Sequence, residues 1–525
     1  MSGGGVTILG VGASGAWGDS FRSPQTRDVS ADALRAIPGA ALPLSSRSSS
    51  VSAPLADTSV SLSNGISVVE SVYARPEPVE QELAWASEPE DEISQLMQGN
   101  IKKQPLVLLN SSLLLNGLGA KLLERFSTAQ SDFSQTVVSY ESQYRNPTVD
   151  GTSISYGSTD ITRTSATDAL KNSAGATNRI GFRIQTRSGK TVDISISYGG
   201  NGKEIKAGLS VGIHVSGGEL SDAEKTAVAN LSSGFESLLQ SVSRGTGDVD
   251  VSGLTYDATV LSGIDLTVRQ TPQFGSELKS LDFHANSKQR SFALETTKGR
   301  LSLSVDLTQP AILGSATQQR AAVQDYLSRF DAANQRGHGD SSLLGQFKDV
   351  FVALHSNYPA SDGSTTPTIS SPALNDKDRS VLTGLADFEV SISGDFAKES
   401  EAGHMEYRAA QSTKVVGEGK WNGLSVSQTQ TTRLKSNFLR SPDGGPLDVG
   451  TGNYESISID DETSSITSFS YAKDELQSAT VKSLVNQMEY LKKFVNFKMV
   501  EERDSPLKQA DEQDISALLV PPKKP

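Results

Sequence analysis

The sequence predicts an α+β fold: antiparallel sheets with segregated helices, arranged as two folded domains after a disordered N-terminal arm. Three observations carry this. Apolar residues alternate with polar ones at period two in several short runs joined by glycine-containing turns, which is the pattern of hairpins. Runs with helical spacing follow these hairpins instead of interrupting each strand pair, so the strands pair locally and antiparallel. Residues 1 to about 75 are rich in Ser, Gly, Ala and Pro and contain no lysine. Such a stretch buries too little apolar surface to offset its ordering entropy.

The resulting division is an arm over residues 1–104, an α+β domain over 105–357, a linker over 358–380, a sheet-plus-helix domain over 381–502 and a mobile tail over 503–525. The end of the arm turns acidic, with Glu77, Glu80, Glu82, Glu88, Glu90, Asp91 and Glu92 interleaved with bulky apolar residues. Acidic and apolar residues mixed in this way often make a short helix that docks on a partner or folds back on its own body, and the alternative reading, the one favoured here, is a solvated acidic linker. Leu83, Trp85, Ile93 and Leu96 are the docking candidates, and a protein is the partner they imply.

After Pro105 a wide apolar stripe from Val107 to Phe126 predicts a helix continuing toward Tyr144. The period then changes to two. Ile180, Phe182 and Ile184 lead to Arg187-Ser188-Gly189-Lys190, and Val192, Ile194, Ile196 and Tyr198 follow, which predicts a hairpin. A third strand carries Leu209, Val211, Ile213 and Val215. Ser221 with Glu224 then forms a capping box ahead of Val228, Leu231, Phe235, Leu238 and Leu239. Phe292 to Arg300 echoes Phe182 to Lys190, and Leu301, Leu303, Val305 and Leu307 follow as the second strand of another hairpin. Helical spacing returns from Ala321 to Phe330 and from Ser341 to His355.

In the last part of the chain Phe388, Val390 and Ile392, then Leu424 and Val426, then Ile457, Ile459, Ile466, Phe469 and Tyr471 read as strands. Val481, Leu484, Val485, Met488, Leu491, Phe494 and Val495 have the spacing of a helix over 472–501.

Composition removes several chemistries. The chain has no cysteine, which excludes disulfides, thiolate nucleophiles, Fe–S ligation and cysteine-bound zinc. Its five histidines include no pair at the i, i+4 spacing that presents two imidazoles to one metal. No metal site and no cofactor are expected. A formal charge of −13 without a clustered Lys/Arg patch argues against nucleic acid as a partner. No run approaches the ~20 apolar residues of a transmembrane segment, and the first residues lack a signal-peptide core. The expected location is cytoplasmic, or secreted by a route without a Sec signal.

Several motifs resemble sites. Gly10-Val-Gly12-Ala-Ser-Gly15 has dinucleotide-binding spacing, but Gly18 and Pro24 break the helix that must follow. Gly208-Leu-Ser210-Val-Gly212 has nucleophile-elbow spacing, yet alternation runs straight through it, so Ser210 reads as a strand residue with His214 on the same face. Asp443-Gly-Gly445 and Asp448-Val-Gly450-Thr-Gly452 lack the spacing of a calcium loop and read as a plain loop. Between two expected helices, Gly337 is placed to stop the first and Asp340 to cap the second, leaving His338 in the loop. His404 and Glu406 share one face if their segment is a strand. His338, Asp340, His404 and Glu406 are therefore the candidate catalytic residues.

The segment Gly218-Glu-Leu-Ser221-Asp-Ala-Glu224-Lys-Thr-Ala-Val-Ala-Asn-Leu231 resembles one in large uncharacterised proteins of gammaproteobacteria that share a Ser-rich beginning and a sheet-rich middle. The resemblance implies a bacterial protein and no particular activity. The reading that follows is a non-catalytic interaction or structural protein. The alternative is a hydrolase with a His/carboxylate site.

Overall fold

The computed structural model describes residues 81–104, 111–128, 132–141, 147–150, 153–156, 168, 178–200, 205–272, 276–356, 358 and 374–520. Its centre is one antiparallel sheet of 15 strands. In chain order the strands are β1 (Gln81–Trp85), β2 (Phe133–Glu141), β3 (Pro147–Asp150), β4 (Ser153–Tyr156), β5 (Asn178–Thr186), β6 (Thr191–Gly199), β7 (Ile205–Ser216), β8 (Leu261–Arg269) and β9 (Leu278–Asn286). They continue as β10 (Gln289–Thr296), β11 (Gly299–Asp306), β12 (Asp387–Ala397), β13 (Glu401–Val416), β14 (Leu424–Arg440), β15 (Tyr454–Ala472), β16 (Glu475–Val495) and β17 (Lys498–Asp514). The spatial order is β1-β2-β7-β6-β5-β8-β9-β10-β11-β12-β13-β14-β15-β16-β17, and β3 pairs only with β4. From β8 onward sequence neighbours are also spatial neighbours, as expected where hairpins make the sheet.

Helices α1 (Glu92–Lys102), α2 (Ser111–Leu114) and α3 (Leu118–Glu124) precede β2. Helices α4 (Asp222–Ala229) and α5 (Ser232–Arg244) follow β7, and α6 (Ala316–Gly337) and α7 (Ser341–His355) follow β11. Two short helices, α8 (Asp376–Ser380) and α9 (Ser516–Leu519), complete the set among the described residues.

Alternation gives the sheet two unlike faces. On one, β5 buries Ile180, Phe182 and Ile184, β13 buries Met405, Tyr407 and Ala409, and β15 buries Ile457 and Ile459. The helices pack on this face: Phe235 of α5 stacks on Phe182 at 4.6 Å, and Tyr326 and Phe330 of α6 meet Phe351 of α7, Phe388 of β12 and Tyr407 of β13 edge to face or tilted. Aromatic pairs in these geometries add to the burial of their own area. On the other face, from β5 to β15, the outward positions are mostly polar and exposed or half-buried: Arg183, Asp265, Thr267, Ser302, Ser391, Arg408, Lys435 and Asp460 are among them.

The expected hairpins are present as β5–β6 and β10–β11, in registers that set Phe182 opposite Ile194 and Phe292 opposite Leu303. Gly189 sits in the first turn at φ 87°, where a side chain is strained. The capping box is also present: Ser221 Oγ accepts from Glu224 N, and the Glu224 carboxylate accepts from Ser221 N at 2.7 Å.

Four expectations are corrected. The helix expected over 472–501 is strand β16, reached from β15 by the two-residue turn Lys473-Asp474 and followed by Asn496-Phe497, with φ of 52°, 63°, 48° and 63° in order. Both central residues at positive φ define the type I′ hairpin turn, and pairing of Ile457 with Leu491 on β15 prevails over local spacing. The tail expected from 503 is instead largely β17, paired with β16 as far as Asp514. The helix expected to reach Tyr144 ends by Ser127; Gly117, at φ 73°, separates α2 from α3, and β2 begins at Phe133 to pair with β7. Within the expected arm, residues 81–85 and 92–102 form β1 and α1, with Ile93, Met97 and Ile101 in the main core.

The two domains expected on either side of the linker share one sheet, because β11 pairs with β12 in register from Gly299 opposite Gly394 to Asp306 opposite Asp387. Residues 374–380 of that linker hold α8, with Leu374 and Asp378 buried.

Candidate functional site

His338 and His404 lie on opposite faces of the sheet. The candidate pairs therefore cannot share one site.

On the helix-covered face, α6 runs through Gly337, and His338 itself takes the left-handed C-cap conformation at φ 61°. Gly337 was expected to stop the helix. It serves instead for close approach, since a Cβ there would sit 2.8 Å from Met405 Cγ and 2.9 Å from a methyl of Leu434. The His338 ring lies 4.4 Å from the ring of Phe438, and its Nδ1 is 2.7 Å from Glu401 Oε2. Glu401 Oε1 also accepts from Lys398 Nζ at 2.7 Å. Burial pushes the Glu401 carboxyl up, but Lys398 and His338 outweigh it and hold the group below the usual carboxylate range. Asp340 is the N-cap of α7, accepting from Leu343 N at 2.8 Å, so its carboxylate is engaged with backbone.

On the open face, β12 and β13 place Asp395 opposite His404. His404 Nδ1 is 2.7 Å from Asp395 Oδ1 and His404 Nε2 is 3.2 Å from Ser393 Oγ. Ser393, His404 and Asp395 thus stand in the order of a nucleophile, a base and the acid that orients the base. Two elements of a working acyl-transfer site are missing from this string. The backbone of β12 is flanked on both sides by β11 and β13, so its N–H groups belong to the ladder and are not free to cradle an oxyanion. Asp395 is 81% exposed, so water screens its effect on the imidazole. Glu406, two residues on, pairs with Arg408 Nε at 2.7 Å and does not join His404. No group of three or more metal-ligating side chains occurs among the described residues.

The open face holds further pairs with no sequence signal beyond their outward positions. His284 Nδ1 meets Asp265 at 2.5 Å and its Nε2 meets Asn286 at 2.8 Å, while His214 Nδ1 meets Asp132 at 2.7 Å. Ser210 bonds Thr136 at 2.8 Å and remains a strand residue, so it forms no catalytic pair with His214. A shallow depression of about 220 Å³ on the same face is lined by Glu406, Arg408, Arg433 and Lys435. In the loop after β14, the Asp443 and Asp448 carboxylates accept from Gly445 N and Gly450 N, the bonds of local turns.

The docking candidates are used by the chain itself. Ile93 is buried in the core, Leu83 and Trp85 pack half-buried against it from β1, and Leu96 is half-buried on α1. The glycine motif at residues 10–15 lies outside the described residues.

No protein family matches the chain, and no curated protein or solved structure does either.

Proposed function

We propose that this protein is a non-catalytic interaction protein whose recognition surface is the open face of the sheet. The observation that supports this is the asymmetry of the sheet: helices and aromatic side chains fill one face, while the other presents Ser, Thr, Asp, Arg and Lys across strand after strand. A face of hydrogen-bonding groups on a rigid ladder suits a polar partner, because the donors and acceptors are held in place before binding.

The test compares capture by the full chain with capture by Thr267→Arg/Ser302→Arg, two exposed outward positions on β8 and β11. A partner held by the wild-type chain and lost by the variant, with the thermal transition unchanged, supports the reading. Equal capture by both forms removes the face from it.

A second reading, a serine hydrolase, is favoured by the Ser393–His404–Asp395 string alone. Its test is labelling with a fluorophosphonate: modification of Ser393 that His404→Ala abolishes would establish it, and an unlabelled Ser393 ends it.

A further inference from the structure

From the like-charged cross-strand pair that lines the depression we infer that Arg408, Arg433 and Lys435 form a binding site for a tetrahedral oxyanion, a phosphate or sulfate group. This deepens the proposed role of the open face and rests on that reading.

Arg408 of β13 and Arg433 of β14 are direct cross-strand partners. Two cations set opposite one another on adjacent strands destabilise a sheet unless something negative lies between them. Lys435 follows Arg433 on the same face of β14, and the three side chains border one depression of about 220 Å³.

Their existing partners leave capacity unused. Arg433 reaches Asp460 only at 3.5 Å, too long for a strong charge-assisted bond. Lys435 has no carboxylate in ion-pair distance among the described residues, although Glu406 and Asp460 are its cross-strand neighbours. Only Arg408 is firmly engaged, at 2.6 Å from Glu406 Oε1. Two guanidinium groups on paired positions of adjacent strands, with an ammonium beside them, offer donors suited to the oxygens of a phosphate or sulfate: Arg433 holds its own carboxylate only loosely, and Arg408 shares its fork with Glu406. Glu406, the carboxylate lining the same depression, competes with such a ligand for Arg408. Glu462, opposite Arg433, and Asp460 add negative charge nearby, so the site binds a free ion weakly and gains from a ligand with further contacts along the face.

The experiment is titration of the full chain with inorganic phosphate, and separately with inorganic sulfate, followed by calorimetry or by chemical shifts of the arginine side chains. The wild-type chain is expected to bind at least one of them saturably. Arg433→Gln should weaken that binding about tenfold, and Glu406→Gln should tighten it about threefold by freeing Arg408. Circular dichroism and the thermal transition establish that each variant is folded, and the variant that tightens binding guards against a loss caused by misfolding. The ion with the lower Kd names the preferred group. No saturable binding, or binding indifferent to Arg433→Gln, overturns the site; so does Glu406→Gln weakening it. If these fail while Thr267→Arg/Ser302→Arg still loses its partner, the open face keeps its role and only this ligand class is wrong.

Discussion

Arg336 grips Asp461 with two bonds, Nε to Oδ2 at 2.7 Å and Nη2 to Oδ1 at 3.3 Å, and so fastens the last turn of α6 to β15. Its third arm reaches Glu489 of β16 at 2.9 Å, and Asp461 also accepts from Met488 N at 3.2 Å. Burial pulls the guanidinium pKa down, but the two carboxylates outweigh it and hold the group firmly charged. Asp461 is only 8% exposed, so removing its partner strands a charge in a dry place.

Arg336→Met is therefore expected to destabilise the protein by about 3 to 5 kcal/mol, the range for breaking one side of a buried ion pair. Urea denaturation measures it. The double variant Arg336→Met/Asp461→Leu should recover much of the loss, because the cost lies in the abandoned carboxylate more than in the missing bond. Loss in the double variant equal to that in the single one would place the effect in packing of α6.

His355 gives the protein an acid sensitivity. The ring is buried at the end of α7, tilted against Phe351 at 4.2 Å, with Nδ1 donating to Phe351 O at 2.9 Å and Nε2 without a hydrogen-bond partner among the described residues. Burial pushes its pKa from 6.5 down to about 4, opposed by the bond to Phe351 O and aided by nearby Arg290. Above pH 6.5 the imidazole is neutral in both states and contributes nothing to the pH dependence. Below it the unfolded chain takes a proton that the folded chain refuses, so stability falls between pH 6.5 and 4 and then levels. The integrated loss is about 3 kcal/mol. His355→Phe, which keeps an aromatic ring against Phe351 and Phe388, should flatten this window relative to the wild type in denaturation curves taken from pH 7 to 4; parallel curves would exclude His355 as the source.

Glu224 joins a helix start to a hairpin turn. Its carboxylate accepts from Ser221 N at 2.7 Å, Ser188 Oγ at 2.5 Å and Lys190 Nζ at 2.9 Å, so one side chain holds α4 against the β5–β6 turn. Burial raises its pKa, but these donors outweigh burial and hold the group well below the usual carboxylate range. A depressed carboxyl stabilises the fold above its unfolded pKa, near 4.5, and loses that contribution as pH falls through the folded value. Glu224→Ala should cost about 2 to 3 kcal/mol at neutral pH and much less at pH 3, which thermal unfolding at the two pH values reads directly.

The parts of the fold that were legible in the sequence are those fixed by neighbours in the chain. Ser221 and Glu224 are three residues apart and form their box whatever surrounds them. Gly189 turns a hairpin whose two strands alternate on either side. What was not legible depends on residues far away. The apolar positions of β16 suit a helix as well as a strand, and only pairing with β15 decides between them. In the candidate site, the capping role of Asp340 was readable because it bonds three residues on. The bond from His404 to Asp395 required the β12–β13 register, and the one from His338 to Glu401 spans 63 residues.

The turn between β15 and β16 offers a stabilising change. Type I′ turns need positive φ at both central positions and favour Asn-Gly, yet β15 and β16 are joined by Lys473 at φ 52° and Asp474 at φ 63°. Their amides donate to Trp421 O and Lys420 O, so the backbone geometry is held from outside by the β13–β14 connection. Glycine at position 474 adopts the same angles without a Cβ penalty and leaves that donor in place. Asp474→Gly is expected to raise stability by about 0.5 to 1 kcal/mol, the relief of a left-handed residue exceeding the added freedom of the unfolded chain. An unchanged or lower denaturation midpoint would mean that Asp474 makes a compensating contribution in this turn. If the midpoint rises, the strain is local to the turn, and the long β15–β16 ladder is what forces an unfavourable dipeptide into it.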